Sequence, residues 1–435
     1  MSRRARFVPT GPLRGEYTPP ADKSISHRAA LFGAMCDEPV TVRNFLESAD
    51  TTSTLVALQS LGAGVEEERD GTVLMRGVGL HAPLAATNGL LDVGNSGTLM
   101  RLLPGWLAGQ PGGVWTLDGD ESIRRRPVDR ISEPLTAMGA TVEAREGRFP
   151  PFTVHGAGLT GVDYVLPVPS AQVKSCVLIA GMLADGSTSV TERVPSRDHT
   201  ERMLRRARVP FERESRRAVV SQVDELELDE IVVPGDPSSA AFMVAAAALV
   251  PDSRIVVSGM GLNWTRTAFF RIAQRMGAVV VGELEEPETE TDSEPVGELD
   301  VASGPLEGTV VGPEEVPLAI DELTLVALLG AFAEGETVVT GAAELRHKES
   351  DRIKGVVAGL RGLGADIEET DDGFAVRGDG SPLPGGTIDS LGDHRFAMLG
   401  AVAGLACTGG VEVLGMGASA VSYPGFERDL KSLLA

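Results

Sequence analysis

The chain has 435 residues, with 39 Lys and Arg against 62 Asp and Glu and a formal net charge of -23. So acidic a chain lacks the basic face that nonspecific nucleic-acid or anionic-membrane binding needs, and no apolar run is long enough to span a bilayer. Hydrophobic residues at 42% and 52 glycines describe a globular protein of two or three domains with many short turns. The start, MSRRARFVPTG, has a basic patch but no apolar signal core, and Cys36, Cys176 and Cys407 stand singly without metal-ligand spacing. Buried thiols in a reducing cytoplasm are expected.

In chain order, RFVPTGPLRGEYTPP reads as extended chain that leads nowhere by itself. PPADKSISHRAALFGAM puts Lys23, Ser24 and Arg28 at the start of an apolar helix, where unpaired N–H groups and the helix dipole favour an anion. Asp22 or Ser24 can also simply cap that helix. LDVGNSGTLMRLLPG places Gly94, Asn95, Ser96, Gly97 and Thr98 at a strand-to-helix turn, a backbone concavity suited to phosphate or carboxylate. DGDESIRRRPVD carries three consecutive arginines, of which Arg126 is oriented by Pro127. VPSAQVKSCVLIAGML presents Ser170, Gln172 and Lys174 before an apolar helix, and VPSRDHTERML presents Ser196, Arg197 and His199 in the same way.

PGDPSSAAFMVAAAAL repeats the device with Asp236, Ser238 and Ser239. The stretch from Glu283 to Asp300 is strongly acidic with no basic residue, which predicts a solvated hairpin extension. AIDELTLVALLGAF places Asp321 and Glu322 at the start of a very apolar helix, where burial favours the protonated acid. In LRHKESDRI, a helix would set Lys348 and Arg352 four residues apart on one face, with Glu349 between them. Two cations so placed repel unless an anion or a carboxylate lies between them; local surface pairing is the plain alternative. LGDHRFAMLGAVAG adds Asp393, His394 and Arg395, and FERDLKSLLA closes the chain as a helix with no strand after it.

A unit recurs through these segments: an amphipathic helix ending in Gly-Ala, then a charged strand, a turn and another strand. The clearest copies are LQSLGAGVEEERDGTVLMRG, LTAMGATVEAREGRFPPFTVHG and LRGLGADIEETDDGFAVRG, with IAQRMGAVVVGELEEPE and MLRRARVPFERESRRAVVS as altered ones. The marker glycines Gly62, Gly139, Gly277 and Gly364 are separated by 77, 138 and 87 residues, a period of roughly 70 to 80 with the middle gap about doubled, the size of a βαβαββ unit. Each supplies a left-handed position just past a helix end. The count predicts six units in two groups of three, with the N-terminal segment closing the second group. The fold class is α/β (α+β), with domains at 22–235 and at 1–21 plus 236–435. Crossings at TPPADKS and IVVPGDPSS would form a hinge, and the cleft would hold the active site.

DKSISHR, GNSGT, RRRPVD, PSAQVKS, SRDHTERM, GDPSSAAF, IDE, LRHKESDR and DHRFAM, in this order and over nearly the whole chain, resemble the motif series of the 5-enolpyruvylshikimate-3-phosphate synthase family. The resemblance implies two domains, each of three βαβαββ units with helices inside the sheets. It implies transfer of the enolpyruvyl group of phosphoenolpyruvate to the 5-hydroxyl of shikimate 3-phosphate, with release of phosphate, in the shikimate pathway to chorismate and aromatic amino acids. Lys23, Ser24, Arg28, Ser170, Gln172, Ser196, Asp321 and Lys348 would contact shikimate 3-phosphate. Lys23, Asn95, Gly97, Arg126, Gln172, Arg352, His394 and Arg395 would hold phosphoenolpyruvate. Asp321 resembles the family's base, with Glu349 and Lys23 as candidate acids.

No metal or cofactor is expected, since arginines and lysines supply the electrostatics. The partners are small-molecule substrates alone, bound by a monomer. Val421 stands where related members carry a lysine, and Ala171 where many carry a second serine. The alternatives are UDP-N-acetylglucosamine enolpyruvyl transferase, whose mobile loop carries a cysteine that DESIRRRPVD lacks, and a non-catalytic anion-binding protein of the same fold.

Overall fold

The structure, a computed structural model, describes residues 3–81 and 90–434. The chain divides into two compact units, one of Ala21–Pro234 with Glu288–Glu294 and the other of Met1–Pro20, Gly235–Pro287 and Pro295–Ala435. They are called the first and second unit below. Helices α1 (Lys23–Met35), α2 (Ala49–Ser60), α3 (Gly97–Ala108), α4 (Asp129–Ala137), α5 (Ala171–Gly181) and α6 (His199–Arg206) belong to the first. The second holds α7 (Pro237–Leu249), α8 (Ala268–Arg275), α9 (Val316–Ala319), α10 (Leu323–Phe332), α11 (Arg352–Gly362), α12 (His394–Ala406) and α13 (Phe426–Ser432).

Composition sorts these helices into inner and outer. In α1 every residue from Ile25 to Met35 is buried, and α3, α5, α7, α10 and α12 are likewise buried on all faces. A helix apolar all round must be enclosed, and each unit therefore has three interior helices. Others bury one stripe, as α4 buries Ile131, Pro134 and Leu135 and α8 buries Phe269, Phe270, Ile272 and Ala273, whereas the polar α6 is buried from His199 to Leu204. Four of the outer helices end where the sequence predicts. Gly62, Gly139, Gly277 and Gly364 have φ of +110°, +112°, +100° and +99°. In the altered fifth copy Arg208 takes the left-handed conformation instead, at φ +57°.

Around the interior helices lie three small sheets per unit built on one plan, beside a two-stranded pairing of Leu159–Thr160 with Ala184–Asp185 in the first unit. Val40–Arg43 pairs parallel with Glu230–Val232 and antiparallel with Val73–Arg76, which pairs with Gly64–Glu67. The same order recurs around Val114–Asp118 and Ser187–Thr191, and in the second unit around Arg254–Gly261 and Glu334–Val339. The sixth sheet lacks a strand after α13. The chain start supplies it: Arg4–Phe7 runs antiparallel to Val411–Leu414, which pairs parallel with Gly386–Asp389. Arg14–Tyr17 then pairs parallel with Arg254–Gly261, so the N-terminal segment completes two sheets of the second unit.

The expectation of a solvated extension at 283–300 is corrected for residues 288–294. Glu294 bonds Nδ1 of buried His199 at 2.6 Å, Glu290 pairs with Arg205 at 2.8 Å, and Arg202 donates to the Ser293 carbonyl at 2.7 Å. Acidic residues here answer basic ones on α6, which a reading of one segment at a time misses. Among the described residues no helix is long and apolar enough to cross a membrane.

Candidate active site

Helix starts position the candidate residues in both units. Asp22 caps α1 by accepting from the Ile25 amide at 2.8 Å, which leaves Lys23 and Ser24 in the first turn. The Lys23 ammonium meets Asp50 of α2 at 2.9 Å. Buried Arg28 donates to Thr200 and Ser175 hydroxyls, both at 2.8 Å, and to the Ser24 carbonyl at 3.0 Å. Ser170 caps α5, and Gln172 accepts from Arg101 at 3.1 Å and donates to Thr98 at 3.2 Å. Arg101 also reaches the Gly97 carbonyl, so one buried cation ties the α3 start to the α5 start.

The three consecutive arginines separate by function. Arg124 forks onto Asp118, with its closest contact at 2.6 Å, and Arg125 is exposed beside Glu121. Arg126 is buried against Gly97, where a Cβ would stand 2.2 Å from its Nη1. Glycine at 97 is therefore a condition for the guanidinium's position. Asn95 donates to Asp120 at 2.6 Å and Ser122 at 2.8 Å, and these two bonds shape the loop. Ser196 is buried and its hydroxyl donates to Glu192.

In the second unit the expectation that Lys348 and Arg352 share a helix face is corrected. Ala343–His347 is a 3-10 turn, Lys348 is extended at φ -82° and ψ -160°, and α11 begins only at Arg352 under an Asp351 cap. The two cations meet through Asp321, in the turn between α9 and α10: Lys348 donates to Asp321 Oδ1 at 3.1 Å and Arg352 at 3.2 Å. Arg395 stands 4.0 Å from Oδ2. Three cations, Lys348, Arg352 and Arg395, thus surround the Asp321 carboxylate.

Arg352 is fully buried and also bonds Glu349 at 2.7 Å and Asp393 at 2.8 Å. Burial acts to lower its pKa, but Asp393, Glu349 and Asp321 outweigh it and hold the guanidinium above its ordinary range. Burial would raise Asp393, yet Arg352 and His394 keep its carboxyl below the usual value. Asp393 also caps α12 and so orients both His394 and Arg395. Glu322, buried beside Asp321, accepts from Ser238 and lies 3.5 Å from Arg395.

Asp50, Arg101 and Glu322 thus hold candidate residues in place without having stood out as site residues. Arg101 had a readable signal, a lone cation inside an apolar helix, which must be paired when buried. Glu322 stood out only as an acid at an apolar helix start, and Asp50 had no signal, because its partner lies far away in sequence.

Three enclosed helices per unit, wrapped by repeated four-strand sheets and carrying arginines, lysines and one multiply contacted carboxylate at helix starts, define a two-domain enolpyruvyl transferase-type fold. A family model described as EPSP synthase (3-phosphoshikimate 1-carboxyvinyltransferase) matches residues 8–430, and the chain belongs to that family. A 3-phosphoshikimate 1-carboxyvinyltransferase of Acidithiobacillus ferrooxidans is 47% identical over 96% of this chain and 95% of its own. One from Thermus thermophilus is 45% identical over 99% of each. The EPSP synthase of Acinetobacter baumannii superposes with a TM-score of 0.85 at 40% identity, over 99% of this chain and 98% of that one. The enolpyruvyl transferase NikO of Streptomyces tendae shares the fold, with a TM-score of 0.78 at 19% identity over 100% of this chain and 98% of its own.

Proposed function

We propose that the chain transfers the enolpyruvyl group of phosphoenolpyruvate to the 5-hydroxyl of shikimate 3-phosphate, giving 5-enolpyruvylshikimate 3-phosphate and phosphate. Membership of the EPSP synthase family supports the reaction. The observation that carries the residue roles is Asp321, a carboxylate in contact with Lys348 and Arg352 and close to Arg395. Placed among these cations, Asp321 is assigned the role of the base. Deprotonation of the 5-hydroxyl there accompanies attack on C2 of phosphoenolpyruvate, while an acid protonates the methylene carbon. Glu349 and Lys23 are the candidate acids. Loss of a proton from the resulting methyl group and departure of phosphate from the tetrahedral ketal complete the transfer.

Lys23, Ser24, Arg28, Ser170, Gln172 and Lys348 are assigned to shikimate 3-phosphate. Lys23, Gly97, Arg126, Gln172, Arg352, His394 and Arg395 are assigned to phosphoenolpyruvate. Guanidinium forks suit its carboxylate and phosphate. Asn95 acts in this reading by shaping the loop that carries Gly97. The working state is a cytoplasmic monomer acting on small anionic substrates, in the shikimate pathway to aromatic amino acids.

The test is phosphate release from phosphoenolpyruvate with shikimate 3-phosphate or UDP-N-acetylglucosamine offered separately. Release only with shikimate 3-phosphate is expected. Release only with the nucleotide sugar would install the sister enzyme, and release with neither would leave an anion-binding protein.

A further inference from the structure

The Lys174 ammonium lies under the start of α5, fully buried, one turn beyond Ser170. It bonds Glu192 at 2.8 Å and Glu201 at 2.6 Å, and it donates to the Ser196 carbonyl at 3.4 Å. Glu192 in turn accepts from the Ser196 hydroxyl, and both side chains are buried. Glu201 is buried on the first turns of α6, and its Oε2 has no hydrogen-bond partner among the described residues. Next to it, Thr200 takes the Nε hydrogen of Arg28 and shares a 2.7 Å hydroxyl contact with Ser175 of α5. One ammonium therefore joins α5, the strand end at Glu192, the 193–198 loop and α6.

Stability does not explain this cluster. One cation facing two carboxylates in the interior carries a desolvation cost that well-packed apolar residues would avoid, so a buried ion cluster is weak evidence of stabilisation. What it does supply is geometry. Glu192 accepts from two donors at once, the Lys174 ammonium and the Ser196 hydroxyl, and this fixes the loop from both its side chain and its carbonyl. Burial would lower the Lys174 pKa, but Glu192 and Glu201 raise it, so the ammonium remains charged. Because the Ser196 proton is donated inward, that hydroxyl is not offering it to a ligand.

We infer that Lys174, Glu192 and Glu201 are positioning residues for the acceptor, acting through Ser196 to hold the 192–200 segment and, through Thr200, the Arg28 guanidinium. Ser196 is itself a positioning residue in this assignment, in place of the shikimate 3-phosphate contact that the family resemblance implies. The inference rests on the proposed use of shikimate 3-phosphate.

Its test is a double-mutant cycle of Glu192→Gln and Ser196→Ala, with KM for each substrate and kcat measured separately. A glutamine amide has one oxygen for two donors, so one bond of the pair is lost while shape is kept. Glu192→Gln should raise KM for shikimate 3-phosphate about tenfold, with kcat and KM for phosphoenolpyruvate within about twofold of wild type. The double variant should be no worse than the worse single one, because both changes break one connection. Additive losses would make Ser196 a direct ligand donor and overturn the inference, as would an unchanged KM in Glu192→Gln.

Amide hydrogen exchange across 192–200 without substrate supplies a readout independent of activity. Faster exchange in Glu192→Gln is expected, and unchanged exchange would refute the lock whatever the acceptor is. If wild type fails to use shikimate 3-phosphate, the proposed function falls on that result alone. Should Glu192→Gln not fold, Glu201→Gln takes its place in the cycle, since it acts on the same ammonium.

Discussion

At the residue scale, two side chains bear most of the reading. Asp321→Asn keeps size and most hydrogen bonding while removing the proton acceptor. Its kcat should fall by about 10²–10³-fold with substrate binding largely retained. A near-normal kcat, measured by phosphate release, would remove Asp321 from the proton transfers. Gly97→Ala tests the Arg126 pocket: a methyl group 2.2 Å from Nη1 must displace the guanidinium. KM for phosphoenolpyruvate should rise by about tenfold or more, since a shift of an ångström at a clamp is costly. An unchanged KM would show that Arg126 does not hold that substrate. These residue types were legible because their chemistry is local: an Arg beside Pro, an acid at an apolar helix start. Their partners were not. Lys348 and Arg352 were expected to converge by helical spacing, and they converge instead on a carboxylate from another loop.

At the element scale, α1 combines the candidate cations with a buried histidine. Burial is the main reason that His27 is lowered to a pKa of about 3, from 6.5; the charges of Lys23 and Arg28 add to it, and Asp50 opposes it. Its Nδ1 makes a 2.7 Å bond with Thr54 of α2. Between those two pKa values the unfolded chain binds one proton more than the fold. Stability from this residue is therefore complete above about pH 6.5 and declines by ~1.4 kcal/mol per pH unit as pH falls toward about 3. His27→Gln should flatten that share of the acid limb, compared by urea midpoints at about pH 6.5 and 4.5. An identical pH slope in the variant and the parent would contradict the assignment. Helix starts were the readable part of such elements: Asp22, Ser96, Ser170 and Asp393 cap the helices they precede, while Asp351 caps a helix that was expected to begin earlier. A cap occupies one residue and leaves the next ones, such as Lys23 and Ser24, in the first turn.

At the scale of the whole molecule, the chain start is a structural part of its end. Arg4–Phe7 completes the sixth sheet, and Phe7 is buried where Gly404 lets α12 approach: a Cβ there would lie 2.6 Å from that of Phe7. Phe7→Ala should cost about 3 kcal/mol, as large-to-small core changes do. A protein of two units is not expected to unfold in one step. The loss should therefore appear in the transition of the second unit alone, followed by fluorescence and circular dichroism in denaturant. An equal shift in both transitions, or in neither, would speak against independent cores.

The repeat of helix, glycine and hairpin was readable without coordinates because each unit is bounded by short-range signals, a cap at one end and a left-handed glycine at the other. The family was readable because its motifs keep their order along the chain. Tertiary structure alone decided which charge meets which. Asp50 under Lys23, Glu201 on Lys174, Asp321 between Lys348 and Arg352, and Glu294 on His199 join positions far apart in the chain. The physical reason is one of range. Capping, turn geometry and hydrophobic period act over a few residues, whereas the partner of a buried charge is set by how three enclosed helices pack inside three sheets.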